Sequence, residues 1–207
     1  MDPTEFLEHK DITEFISLAG QYCTFVENTN NFEKVAYIQK SLSLLSSLYF
    51  YALKLPDPGD TTFETPEKFV SEMEWNEIYN KVKLKLGYHD DYLDVFDPVS
   101  KEEGDVSIVS LADNFADIYQ DLKNFIVAYG LENEDLMVSS LWDLLYNFQE
   151  YWGIKLLNAL RVLHRLYYSE EQLDEKKLDS GENGQNVNRN WLFEERRRQS
   201  NEEDDEV

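Results

Sequence analysis

From position 132 to position 168 the chain carries one continuous helical rhythm. Leu141, Leu145, Phe148, Trp152, Leu156, Ala159, Leu163 and Tyr167 recur at spacings of four, three, four, four, three, four and four, which is the pattern of one buried helix face. A rod of that length has to cover its apolar side with other elements of similar length. With only 8 Gly and 5 Pro in 207 residues, few turns are forced, so those elements are expected to be helices rather than many short strands. The phase continues across Gly153, which predicts one long helix with a kink there. A glycine inside a helix costs about 1 kcal/mol relative to alanine, so close approach of a neighbouring helix is expected at that point.

The rest of the chain supplies partners. Phe15, Ala19, Tyr22 and Val26 mark a first helix that ends near residues 28–31. Asn30 and Glu33 have the spacing of a capping box, and Val35, Ile38, Leu42, Leu45, Tyr49 and Leu53 continue as a second helix up to Pro56. Thr65-Pro66-Glu67 reads as the start of a third, with Phe69, Met73, Val82 and Leu86 on its stripe and Gly87 as its stop. Ser110 with Asp113 opens a fourth, closed by Gly130. The expected fold is an all-α, up-and-down bundle of about five main helices, residues 1–168. A long acidic loop, 88–109, and a short C-terminal helix complete it. Residues 169–207 read as a polar linker, a short Trp-containing helix and a disordered acidic tail.

Charge limits the function. The net charge of −23 opposes binding to nucleic acid or to anionic membrane. It suits solubility, a partner protein with a basic surface, or bound divalent cations. No stretch approaches the roughly 18 apolar residues of a membrane span, and no signal peptide is visible, so a cytoplasmic protein is expected. Cys23 is the one cysteine. It sits on the apolar side of the first helix with no nearby His or Lys, as a packed thiol does.

Residues 86–126 concentrate the polar chemistry, with ten carboxylates against Lys101 and Lys123. Asp113 and Asp117 are one helical turn apart, with Asp121 spiralling on from them. Asp90, Asp91, Asp94 and Asp97 add oxygens from the loop. Six of these (Asp90, Asp91, Asp94, Asp97, Asp113 and Asp117) are candidate ligands for Mg or Mn; the competing reading is a solvated polar face, with no cofactor. On the long helix, Lys155, Arg161, His164 and Arg165 are the matching cations. An inter-helix network of Asp117, Arg161 and Arg165 is expected, with Arg161 on Asp117, against an anion site as the alternative. His89 beside Asp90 and Asp91 has the form of a general base with an orienting carboxylate, but a lone loop histidine is more simply exposed. Glu74 and Glu77 resemble half of the metal set of all-helical nucleotide pyrophosphohydrolases. Trp191 and Phe193, next to Arg196 to Arg198, are candidates for docking on a partner or on the bundle itself.

The stretches LGYHDDYLDVFDP, LADNFADIYQDLKNF, YWGIKLLNALRVLHRL and NRNWLFEERRR together resemble a bacterial family of small acidic helical proteins of unknown function. Asp91, Phe96, Asp97, Pro98, Asp117, Tyr119, Trp152, Gly153, Arg161 and Trp191 carry the likeness. It implies a helical fold and a cytosolic bacterial protein, and no activity. The leading functional expectation is a non-enzymatic interaction module. A divalent-metal-dependent phosphohydrolase and an acidic nucleic-acid-mimicking inhibitor are the alternatives.

Overall fold

The computed structural model describes residues 9–59, 67–94, 107–169 and 173. Chain contacts separate Met1–Leu173 from Asp174–Val207, and every described residue lies in the first unit. Its helices are α1 (Lys10–Glu27), α2 (Lys34–Ala52), α3 (Glu72–Leu86), α4 (Leu111–Tyr129), α5 (Glu134–Asn147) and α6 (Gly153–Tyr168). A five-residue π-helical turn, Phe148–Trp152, joins α5 to α6 without a break. The fold is all-α, as the rhythm predicts. One two-stranded antiparallel ribbon departs from it: β1 (Asp91–Asp94) pairs with β2 (Ser107–Ser110), with Asp91 opposite Ser110 and Asp94 opposite Ser107. The predicted acidic loop is thus bracketed by strands at both ends, while its middle, residues 95–106, lies outside the described residues.

Helix α4 is the centre of the bundle. It contacts α1, α3, α5 and α6, and twelve of its nineteen residues are buried. Aromatic rings fill the space around it. Phe15 packs against Phe125 and Trp152, and Tyr22 and Tyr37 stack on Phe115. The Tyr22 hydroxyl donates to the Phe115 carbonyl at 3.0 Å, so this buried phenol keeps a hydrogen-bond partner. Cys23 is buried, and burial pushes its thiol up to about 12, which makes it a packing group rather than a nucleophile.

Helix ends follow local chemistry. Ser110 Oγ accepts from Asp113 N at 3.2 Å and caps α4 as expected. Gly87 ends α3 at φ 61°. Gly130 stands at φ −70°, and the left-handed position beyond α4 falls instead to Glu132, φ 55°. Two expected starts move. Helix α2 begins after Glu33, which makes no side-chain cap, and Asn30 lies in a short 3-10 turn. Helix α3 begins after Ser71, its N-cap, whose side chain and Glu74 form a complete capping box. The approach to α3 is pinned from the core: Asn124 Oδ1 on α4 accepts from Phe69 N at 2.7 Å and Val70 N at 2.9 Å.

The kink expected at Gly153 is a π-turn, and the group that requires glycine lies in the same helix. A Cβ at Gly153 would stand 2.2 Å from the Phe148 carbonyl oxygen and 2.9 Å from the Phe148 ring. Leu141, Leu144, Trp152, Leu156, Ala159 and Leu163 are in the core, and Leu145 and Phe148 pack against it half-buried. A π-turn adds roughly one residue to a helical turn and so resets the phase. Trp152 Nε1 donates to the Leu144 carbonyl at 3.0 Å across it.

Candidate functional site

The polar cluster is assembled by α3, α4 and α6. Asp117, mid-way along α4, has a side chain only 9% exposed. Its Oδ1 accepts from Trp75 Nε1 on α3 at 2.8 Å. Its Oδ2 accepts from the Tyr151 hydroxyl in the π-turn at 2.6 Å. Lys155, one helical turn beyond Tyr151, forms an ion pair with Asp117 and another with Asp113, the latter at 2.6 Å. A buried carboxylate is tolerated only when its oxygens are hydrogen-bonded and its charge is met. Asp117 satisfies both conditions.

The electrostatics of the cluster hold charges in place. Burial disfavours the Lys155 ammonium, but its bonds to Asp113 and Asp117 and their charges outweigh that and raise its pKa above the ordinary lysine value. Burial, then the bond to Asp117, pushes the Tyr151 phenol up to about 12. At neutral pH the lysine stays charged and the phenol stays protonated, so neither is poised to exchange a proton. The arrangement is a lock between three elements.

The other predicted site residues separate. Asp90 is 1% exposed. Its Oδ1 accepts from Ala112 N at 2.7 Å and its Oδ2 from Ser110 Oγ at 2.8 Å, so it works as a second cap on α4. Asp91 is exposed on β1. Asp94 accepts from Asn158 Nδ2 at 3.3 Å and faces Arg161 Nη2 at 3.5 Å. The expected pairing of Arg161 with Asp117 is therefore replaced. Lys155 is the cation that reaches Asp117, and Arg161, further along α6, ties down the ribbon. Arg165 lies exposed in the last turn of α6. His89 is buried, 6% exposed, with its ring 3.8 Å from that of Tyr88, which replaces the expected exposed loop position. The neighbouring Asp90 carboxylate is directed to the start of α4. Asp97, Trp191 and Phe193 lie outside the described residues.

Among the described residues, no group of three or more His, Cys, Asp or Glu side chains converges in a way that could hold a metal ion. The five described carboxylates of the set proposed for Mg or Mn are divided among a helix cap (Asp90), a strand (Asp91 and Asp94) and a lysine pair (Asp113 and Asp117). Sequence reasoning missed Trp75 and Tyr151. Their one signal was the Tyr151–Lys155 spacing of four, which matches that of Asp113 and Asp117 on the facing helix.

A second polar site was not foreseen. A small cavity lies between α4, α5 and the approach to α3, lined by Glu67, Lys68, Asp121, Asn124, Ser140 and Asp143 among others. Lys68 pairs with Asp143 at 2.8 Å, and Asn147 Nδ2 donates to Asp121 Oδ1 at 3.2 Å. Burial raises the Asp121 carboxyl to about 6 from its ordinary 3.8, against the pull of Lys68. No described helix is long and apolar enough to cross a membrane.

The fold has a solved counterpart. Protein BF1032 from Bacteroides fragilis, a structural-genomics crystal structure, is similar to this chain with a TM-score of 0.71 and 30% identity, covering 80% of this chain and 98% of its own. No curated protein shows a significant match. The family model for a domain of unknown function, DUF5063, matches residues 7–169. The chain therefore belongs to the DUF5063 family.

Proposed function

We propose that the protein is a cytoplasmic, non-enzymatic interaction module that binds a basic surface on a partner protein. The observation that carries this reading is the closure of the Asp117 cluster. Lys155 bridges Asp113 and Asp117, Trp75 and Tyr151 donate to the two oxygens of Asp117, and neither the Lys155 ammonium nor the Tyr151 phenol gives up its proton near neutral pH. The acidic excess of the chain, −23 overall, is then available as a surface field that attracts a basic partner and speeds encounter with it. An inhibitor that mimics nucleic acid is the special case in which that partner binds DNA or RNA.

The test is affinity capture on the full chain from a bacterial lysate at roughly 50 mM salt, followed by release at rising ionic strength, where the Debye length shrinks from above 10 Å to a few ångströms. The expected result is a small set of basic proteins released by salt. Recovery of no basic protein at low salt would overturn the reading.

A further inference from the structure

Away from its buried face, the long helix carries a row of exposed apolar side chains. Trp142, Tyr146, Ile154 and Leu157 are 37%, 51%, 54% and 45% exposed. The rings of Trp142 and Tyr146 stack within 6° of parallel at 5.2 Å. In an unbroken α-helix Ile154 would lie about 120° round the axis from Trp142, at roughly 100° per residue. The π-turn between them adds about one residue and takes back about 100°. The two ends therefore line up. The row runs about 22 Å along the helix, at 1.5 Å per residue. Gln149 and Glu150, both exposed, lie between its two halves. Single exposed apolar residues need no explanation, but two aligned apolar pairs flanking a carboxylate mark a surface that something covers.

The surroundings select the occupant. From Leu131 to Leu157 the sequence holds Glu132, Glu134, Asp135, Asp143 and Glu150 against one cation, Lys155, which is paired inward with Asp113 and Asp117. All of these five carboxylates but Asp143 are exposed. A second copy packed through the same face in the same direction would set these carboxylates against one another. An anionic lipid surface would be repelled in the same way. A helix with an apolar stripe flanked by Lys and Arg meets both features, because helix-in-groove recognition places apolar anchors at i, i+3, i+4 and i+7.

We propose that the outer face of α5, the π-turn and α6 is the docking surface for a basic amphipathic helix of a partner protein. The proposal rests on the interaction reading above and names its surface. The probe is a labelled synthetic peptide of about 18 residues, with leucines at the spacing of one helix face and lysines elsewhere. Fluorescence anisotropy with the full chain is expected to show salt-dependent binding, and a peptide with glutamates in place of lysines is expected not to bind. Trp142→Ala and Ile154→Ala each weaken binding by about tenfold or more, while Leu84→Ala, exposed on α3, leaves it unchanged. All four side chains of the row are at least a third exposed, so these variants keep the fold, which circular dichroism checks.

Equal binding by all three variants would overturn the docking surface and leave the interaction reading to the capture experiment. Failure of the wild-type chain to bind the lysine peptide would also overturn it. Sedimentation showing a wild-type dimer that Trp142→Ala dissolves would overturn it too, by assigning the face to a second copy.

Discussion

Lys155 stands between Asp113 and Asp117, bonded to both, and its side chain is 20% exposed against 9% for Asp117. Removing the lysine leaves the Asp117 charge largely buried with only neutral donors, Trp75 and Tyr151. Breaking a buried pair on one side costs about 3–5 kcal/mol, and partial exposure reduces that here. Lys155→Met is expected to lower unfolding stability by about 2 kcal/mol in urea titration. Lys155→Met with Asp117→Asn should recover part of the loss, with a coupling of about 1–3 kcal/mol. Strict additivity of the two substitutions would show that the pair is not a lock.

Asp90 caps α4 from outside the helix, through Ala112 N and the Ser110 hydroxyl. Ala112 lies in the first turn of α4 and Ser110 is its N-cap, where a carboxylate also meets the positive end of the helix dipole. Asp90→Ala is expected to cost about 1–2 kcal/mol, in the upper range for a lost cap. Asp90→Asn keeps an acceptor and should lose less. A neutral Asp90→Ala in thermal unfolding would mean that Ser110 alone caps the helix.

Much of the fold was legible because the helical rhythm is a property of the sequence itself. The row from Leu141 to Leu163 announced a single rod, and Ser110 with Asp113 announced the start of α4. Several misses share one cause, which is distance along the chain. The duty of Asp90 depends on Ala112, 22 residues away, and nothing local reveals it. Choosing Lys155 over Arg161 as the partner of Asp117 required knowing how far α6 is shifted along α4. The π-turn was the hidden variable, since the phase it resets places Tyr151 and Lys155 together on Asp117. The Ser71–Glu74 capping box was a local signal, but Thr65-Pro66-Glu67 offered a competing start.

Gly153 tests the π-turn directly. Glycine to alanine inside a helix normally gains about 1 kcal/mol. Here the added methyl would meet the Phe148 carbonyl oxygen at 2.2 Å, and overpacking costs about 1–3 kcal/mol. Gly153→Ala is expected to destabilise the protein in chemical denaturation. A rise in stability would mean that the turn relaxes to an ordinary α-helix without loss.

Asp121 should give the bundle a measurable dependence on pH. Burial holds its carboxyl at about 6 in the folded protein, against an ordinary 3.8. The folded state therefore favours the protonated acid. Its contribution to stability is complete below about pH 3.8 and is lost as the pH rises through about 6, by no more than roughly 3 kcal/mol. Asparagine has nearly the same shape and no charge to desolvate, and the neighbouring pair of Lys68 and Asp143 stays in place. Asp121→Asn is expected to be more stable than the natural chain by about 1–2 kcal/mol at pH 7.5, and the difference should close as the pH falls from 6 to 4. Unfolding titrations of the two chains across that range measure the difference directly, since every other titrating group is common to both. A difference that stays constant with pH would show that Asp121 is charged throughout, and that the cavity beside it is wetter than its lining suggests.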